Sequence, residues 1–274
     1  MRADLEFLTS PPVAGRASLT TGADAAAWFL ATELRKAGLQ PVGSDSYLQP
    51  FPLVPLRLDR DRTSIAVRVA GREQRFSPIG VFFPDPTQSI DATLDVVFAG
   101  FGITAPEFCY DDYAGIDVRG KAVLVFDHEP REEDPASPFH GTGLTLHANV
   151  WSKTRTAQAH GAAAVLVVTE PVHAHRTAPR PPHRANAPAQ ALAPSELRIP
   201  RITLSADAAA ALLAGTGRSP ADWQRAIDGS ATPASRALDG VSIAIQAANT
   251  PATPQTSWNV AGLLPGTDPQ LRDE

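Results

Sequence analysis

The stretch KAVLVF, Lys121 to Phe126, sets five apolar residues in a row where a half-buried strand would alternate. Asp117-Val118-Arg119-Gly120 ahead of it has the composition of a tight turn. The same kind of run returns in Ala164-Val165-Leu166-Val167-Val168. Between the two, Thr145–His160 reads as a helix closed by Gly161. Strand, helix and strand make one βαβ unit. Because both strands are apolar throughout, they are expected to form a parallel pair shielded on both faces.

Before this unit, Leu94–Ala99 (LDVVFA) is a further β run, and Tyr47–Leu58 and Thr63–Val69 are extended segments punctuated by proline. The clearest helix is Gly22–Ala37, with Thr20 or Thr21 as its cap and Gly38 as its stop. Ala26, Phe29, Leu30, Leu34 and Ala37 would make its apolar face. After the unit, the Pro-, His- and Arg-rich Val172–Leu204 is a long excursion that regains order at Ile199–Leu204. Helices follow at Asp207–Ala214, capped by Ser205, and at Pro220–Ile227. Strand Val241–Ala247, a linker at Asn249–Thr256 and the apolar run Asn259–Leu264 complete the chain. No internal repeat is visible. The fold class is mixed α/β: a β-rich module with a βαβ unit, set between two pieces of α/β character. A module whose two ends return to one parent domain is an insertion.

Composition narrows the function classes. Of 274 residues, 43% are apolar and 19% charged, as in an ordinary globular protein rather than a disordered one. The net charge of −5, with no basic cluster, lacks the footprint of a nucleic-acid binder. One cysteine, Cys109, excludes an intrachain disulfide and a cysteine-based zinc site; beside Phe108 and Tyr110 it reads as a small buried hydrophobe. No apolar stretch approaches the roughly 18–20 residues of a membrane helix. The start, MRADLEFLTSPP, reads as the tail of an amphipathic helix with Leu5 and Leu8 on one face, not as a signal peptide.

The chemistry-bearing motifs are weak. His128-Glu129 opens HEPRE, but position 132 is glutamate and Pro130 interrupts the helix that a zinc-binding H-E-x-x-H requires. His173, His175 and His183 lie in the Pro-rich excursion, where a solvated loop, with at most a loosely held metal, is the reading. Asp111, Asp112 and Asp117 could share a proton or hold calcium. Their positions favour turn caps, and no ligand-dense spacing surrounds them. There is no G-x-S-x-G elbow, and Gly141-Thr142-Gly143 lacks the rest of a dinucleotide fingerprint. No residue is put forward as catalytic, cofactor-binding or metal-binding.

Leu8–Phe51, with Gly15-Arg16, Lys36-Ala37-Gly38-Leu39 and Tyr47…Gln49-Pro50-Phe51, resembles the entry segment of the co-catalytic zinc aminopeptidases, the twenty-eighth metallopeptidase family. Phe98–Phe126 and Trp151…Lys153…His160–Ala164 are similar to the protease-associated domain that many members carry as an insert. WNVAGLLPGTDPQLRDE, Trp258–Glu274, resembles the segment where the peptidase core resumes. Two departures are Leu19-Thr20-Thr21-Gly22, where the family more often has Gly-Thr-Pro-Gly, and the long excursion. The resemblance implies residues 1–52 and 255–274 as peptidase-core pieces around an inserted protease-associated domain at about 55–250. It implies a secreted or periplasmic parent that removes N-terminal residues from a peptide or protein substrate using two zinc ions. The zinc ligands of that parent would come after Glu274, so this chain is expected to hold no cofactor of its own and to be inactive alone. The alternative is a stand-alone protein-interaction module without peptidase activity.

Overall fold

The computed structural model describes residues 2–42, 45–83, 88–173, 189–192, 197–250 and 252–268. Its helices are α1 (Arg2–Leu8), α2 (Thr21–Lys36), α3 (Val150–Ala159), α4 (Ala206–Leu213) and α5 (Pro220–Ser230). The first eight strands are β1 (Gln40–Pro41), β2 (Leu48–Leu56), β3 (Ser64–Val69), β4 (Arg72–Phe76), β5 (Gly80–Phe82), β6 (Ser89–Phe98), β7 (Thr104–Ala105) and β8 (Tyr110–Asp111). Then come β9 (Ala122–Phe126), β10 (Ala164–Val168), β11 (Ala189–Leu192), β12 (Arg201–Thr203), β13 (Arg236–Ala248), β14 (Gln255–Val260) and β15 (Gly262–Leu263). The described residues fall into two compact units: residues 2–56, 189–192 and 252–268 form one, and 57–173 with 197–250 form the other.

In the first unit β2 pairs antiparallel with β14, from Leu48 opposite Val260 to Leu53 opposite Gln255, and on its other side with β11. α2 covers this sheet: Ala27 and Ala31 are buried with Tyr47 and Leu48, and Leu34, Leu39, Trp258 and Val260 pack around them. The apolar face is rotated from the one the sequence suggests, since Leu30 and Ala37 are exposed. The alanine stripe wins because small side chains let the helix sit close to the proline-rich β2. Thr20 is the cap; its hydroxyl accepts from the Ala23 N–H at 3.4 Å. Gly22 leaves no space for a side chain beneath the Val13 carbonyl.

The second unit is built on an eight-stranded sheet in the order β4-β3-β13-β6-β9-β10-β12-β5. Its centre, β6-β9-β10-β12, is parallel, and the outer pairings are antiparallel. α4 and α5 cover one face, where Phe98, Leu124, Phe126, Leu166 and Val168 meet Leu212, Leu213, Trp223 and Ile227. The opposite face, Val97, Val123, Val125, Val165 and Val167, meets Ala157 of α3 and Val118. Burial on both faces is the physical reason AVLVF and AVLVV do not alternate. α3 begins later than Thr145: Leu146–Ala148 is a 3-10 turn, and Asn149 caps the α-helix by accepting from the Trp151 N–H at 2.8 Å. Cys109 departs from its expected burial. It is exposed, with φ 53° in the left-handed region, ending the 3-10 turn Pro106–Phe108.

Candidate functional site

The parallel strands β9 and β10 deliver their chains to one edge of the sheet, the edge at which open α/β sheets collect functional groups. β9 exits at Phe126 into Asp127, and β10 at Val168 toward Glu170. The Asp127 N–H donates to the Val168 carbonyl at 3.0 Å, and the Glu170 N–H to Asp127 Oδ1 at 2.7 Å, so the two exits are held together. The chain after β9 then folds back sharply. His128 and Arg131 both take positive φ (56° each), conformations that non-glycine residues rarely adopt and that recur at functional sites. The turn brings Glu132 onto His128, Nδ1 to Oε2 at 2.6 Å.

The other oxygen of Glu132 lies 3.9 Å from Nδ1 of His173. The Glu170 side chain, fully enclosed, lies 3.2 Å from the same nitrogen and accepts from the backbone N–H groups of Val172 and His173, at 3.2 and 3.1 Å. From α5, Gln224 places its amide nitrogen 3.3 Å from His173 Nδ1, and its carbonyl accepts from the Val172 N–H at 2.9 Å. One turn further along α5, Asp228 accepts from the Arg131 N–H at 2.9 Å. Its Oδ2 is buried and has no hydrogen-bond partner among the described residues. Burial holds the Asp228 carboxyl above the usual carboxylate range. One ligand atom from each of Glu132, Glu170 and His173 lies within 4.8 Å of the others.

A buried polar pair underlies this edge. Asp112 is fully buried: Oδ2 accepts from the Phe101 and Ile103 N–H groups, both at 3.1 Å, and Oδ1 from the Tyr110 hydroxyl at 3.0 Å. Burial pushes its carboxyl up to about 7, against the pull of those donors and of Lys153. Lys153, buried on α3, donates from Nζ to the Phe101 carbonyl at 2.5 Å and sits over the Phe101 ring. Burial brings its ammonium down to about 7, while Asp112, Asp127, Glu129 and Glu132 favour the charged form. Gly100 (φ 49°) packs so closely on Asp112 that a side chain there would collide with the carboxylate.

The polar residues singled out in the sequence separate clearly in space. Asp111 and Asp112 do not share a proton site: Asp111 accepts from the Thr104 hydroxyl (2.7 Å) and the Tyr113 N–H (3.0 Å), while Asp112 turns inward. Asp117 caps its turn, accepting from the Arg119 N–H at 3.3 Å. His128 and Glu132 do meet, through a left-handed turn rather than a helix. His173 is half-buried within a polar cluster instead of lying in a solvated loop; His175 and His183 lie outside the described residues. Glu170 and Gln224 carry no motif that marks them in the sequence. The available signal is a glutamate placed just beyond an apolar parallel strand, where its side chain faces the strand-end edge.

Residues 92–212 match the PA domain family; the match begins within β6 and contains β9, α3, β10 and most of this cluster. No curated protein matches the chain. Among solved structures, an aminopeptidase from Aneurinibacillus sp. strain AM-1 is 14% identical, with a TM-score of 0.41, over 98% of this chain and 48% of its own length. A zinc aminopeptidase from Bacillus subtilis is 17% identical, with a TM-score of 0.37, over 97% of this chain and 47% of its own. The chain therefore spans about half the length of each. Likeness at this level bears on neither activity nor substrate.

Proposed function

We propose that this chain is the non-catalytic front part of a zinc-dependent aminopeptidase, and that its PA domain shapes substrate access or contacts protein. The observation that carries the reading is the pairing of β2 with β14. The segment before the PA-containing unit and the segment after it return to one sheet under α2, as an insertion into a parent domain requires. The first segment and the last are also those that resemble the peptidase core in sequence. On this reading the PA domain occupies about residues 55–250, and the two zinc ions of the parent belong to residues beyond Glu274. None of the described residues is assigned to them: the Glu132, Glu170 and His173 cluster lies within the inserted unit and lacks a His-x-Asp pair.

The test is the coding DNA beyond the Glu274 codon. An open frame running into an apolar strand with a His-x-Asp pair supports the proposal. A stop codon directly after Glu274 sinks it and leaves a stand-alone interaction module.

A further inference from the structure

We propose that Glu132, Glu170 and His173 form a binding site for one divalent transition-metal ion of the zinc class, within the PA-containing unit. The proposal does not depend on the aminopeptidase reading.

Two observations support it. The first is the donor set. Imidazole with two carboxylates suits zinc and its neighbours, whereas calcium and magnesium prefer oxygen alone. The second is spacing. Ligands about 2.0–2.2 Å from a tetrahedral ion lie about 3.3–3.6 Å from one another. His173 Nδ1 lies 3.2 Å from Glu170 and 3.9 Å from Glu132, and one ligand atom from each of the three lies within 4.8 Å of the others, near the separations an ion would impose.

The supporting contacts are those that a metal centre needs around its ligands. His128 grips the second oxygen of Glu132 at 2.6 Å, which aims the first oxygen at His173. Backbone N–H groups of Val172 and His173 fix the Glu170 carboxylate. Gln224, 3.3 Å from His173 Nδ1, occupies the contact that the ion would replace, and its carbonyl stays anchored on the Val172 N–H. Three protein ligands leave a fourth position open to water. Bound there, the ion cross-links the turn after β9 to the chain leaving β10.

The experiment uses the full chain without a polyhistidine tag, stripped by chelator and titrated with zinc chloride against a chromophoric competitor. Cobalt substitution reports coordination geometry, and thermal melts report coupling to the fold. One equivalent is expected to bind, with a tetrahedral cobalt spectrum and a raised melting temperature. His173→Gln should weaken binding at least tenfold while leaving the metal-free melting temperature close to wild type. Glu132→Gln should weaken binding as well, and it serves should the first variant misfold. The double variant His175→Ala with His183→Ala should bind as wild type does. Overturning results are no stoichiometric binding, or binding that survives His173→Gln and Glu132→Gln but is lost in the His175/His183 double variant, which marks an adventitious loop metal.

Discussion

Replacing Asp112 tests the polar foundation of the strand-end edge. In Asp112→Ala, the Phe101 N–H, the Ile103 N–H and the Tyr110 hydroxyl all lose their acceptor inside a closed core. Leaving a buried donor unpaired costs about 1–3 kcal/mol. With partial relaxation, the three together should destabilise the fold by about 3–5 kcal/mol, a large share of a typical domain's stability. Asp112→Asn differs in kind. Its carbonyl can face the two amides, and its NH2 can donate to a rotated Tyr110 hydroxyl, so about 1–2 kcal/mol is expected at neutral pH. The pH dependence has a definite sign. The native Asp112 carboxyl, near 7, lies above its unfolded value of about 3.8, so its contribution is full below that value and is lost as pH rises through 7. Asparagine cannot make this contribution, so the cost of Asp112→Asn should be larger at pH 5 than at pH 8. Urea unfolding at the two pH values, with hydrogen exchange at the Phe101 and Ile103 amides, measures both effects. A cost below about 1 kcal/mol for Asp112→Ala, or a cost for Asp112→Asn that grows with pH, would refute the reasoning.

Three further outcomes are expected. Gly100→Ala should destabilise by more than the roughly 1 kcal/mol of left-handed strain alone, because its methyl meets the Asp112 carboxylate; a urea-melt change under about 1 kcal/mol would count against that packing. Ser219→Ala removes a complete capping box at the start of α5, in which Ser219 and Asp222 each accept from the other's N–H, and should cost about 1 kcal/mol. Cys109, exposed in the left-handed region, should react with a maleimide in the folded protein, and Cys109→Gly should be neutral or stabilising by up to about 1 kcal/mol; protection from labelling until unfolding would contradict its placement.

β9 and β10 can be read residue for residue because burial on both faces leaves no polar position to blur their ends. Ser205 and Thr20 are legible as caps for a similar reason: a hydroxyl directly before a helical run has one obvious use. The face of α2 is harder to read, because Leu30 and Ala31 are both apolar and only the close approach of β2 and β14 selects the alanine. The start of α3 is blurred because a 3-10 turn and a first α-turn accept the same residues. The Glu132, Glu170 and His173 cluster is hidden for a topological reason. Its members come from two strand exits far apart in sequence, and they meet only because β9 and β10 run parallel and adjacent. The motif rule excludes His128 and Glu132 for want of a helix, yet a left-handed turn at His128 and Arg131 achieves the same encounter.

The most direct measurement compares two proteins in a leucine p-nitroanilide assay with added zinc: residues 1–274 alone, and the product of the whole reading frame. The expected result is hydrolysis by the longer product, abolished by chelator, and none by residues 1–274 even when zinc is saturating. Chelator-sensitive hydrolysis by residues 1–274 alone would contradict the non-catalytic assignment and move the chemistry to the Glu132, Glu170 and His173 cluster.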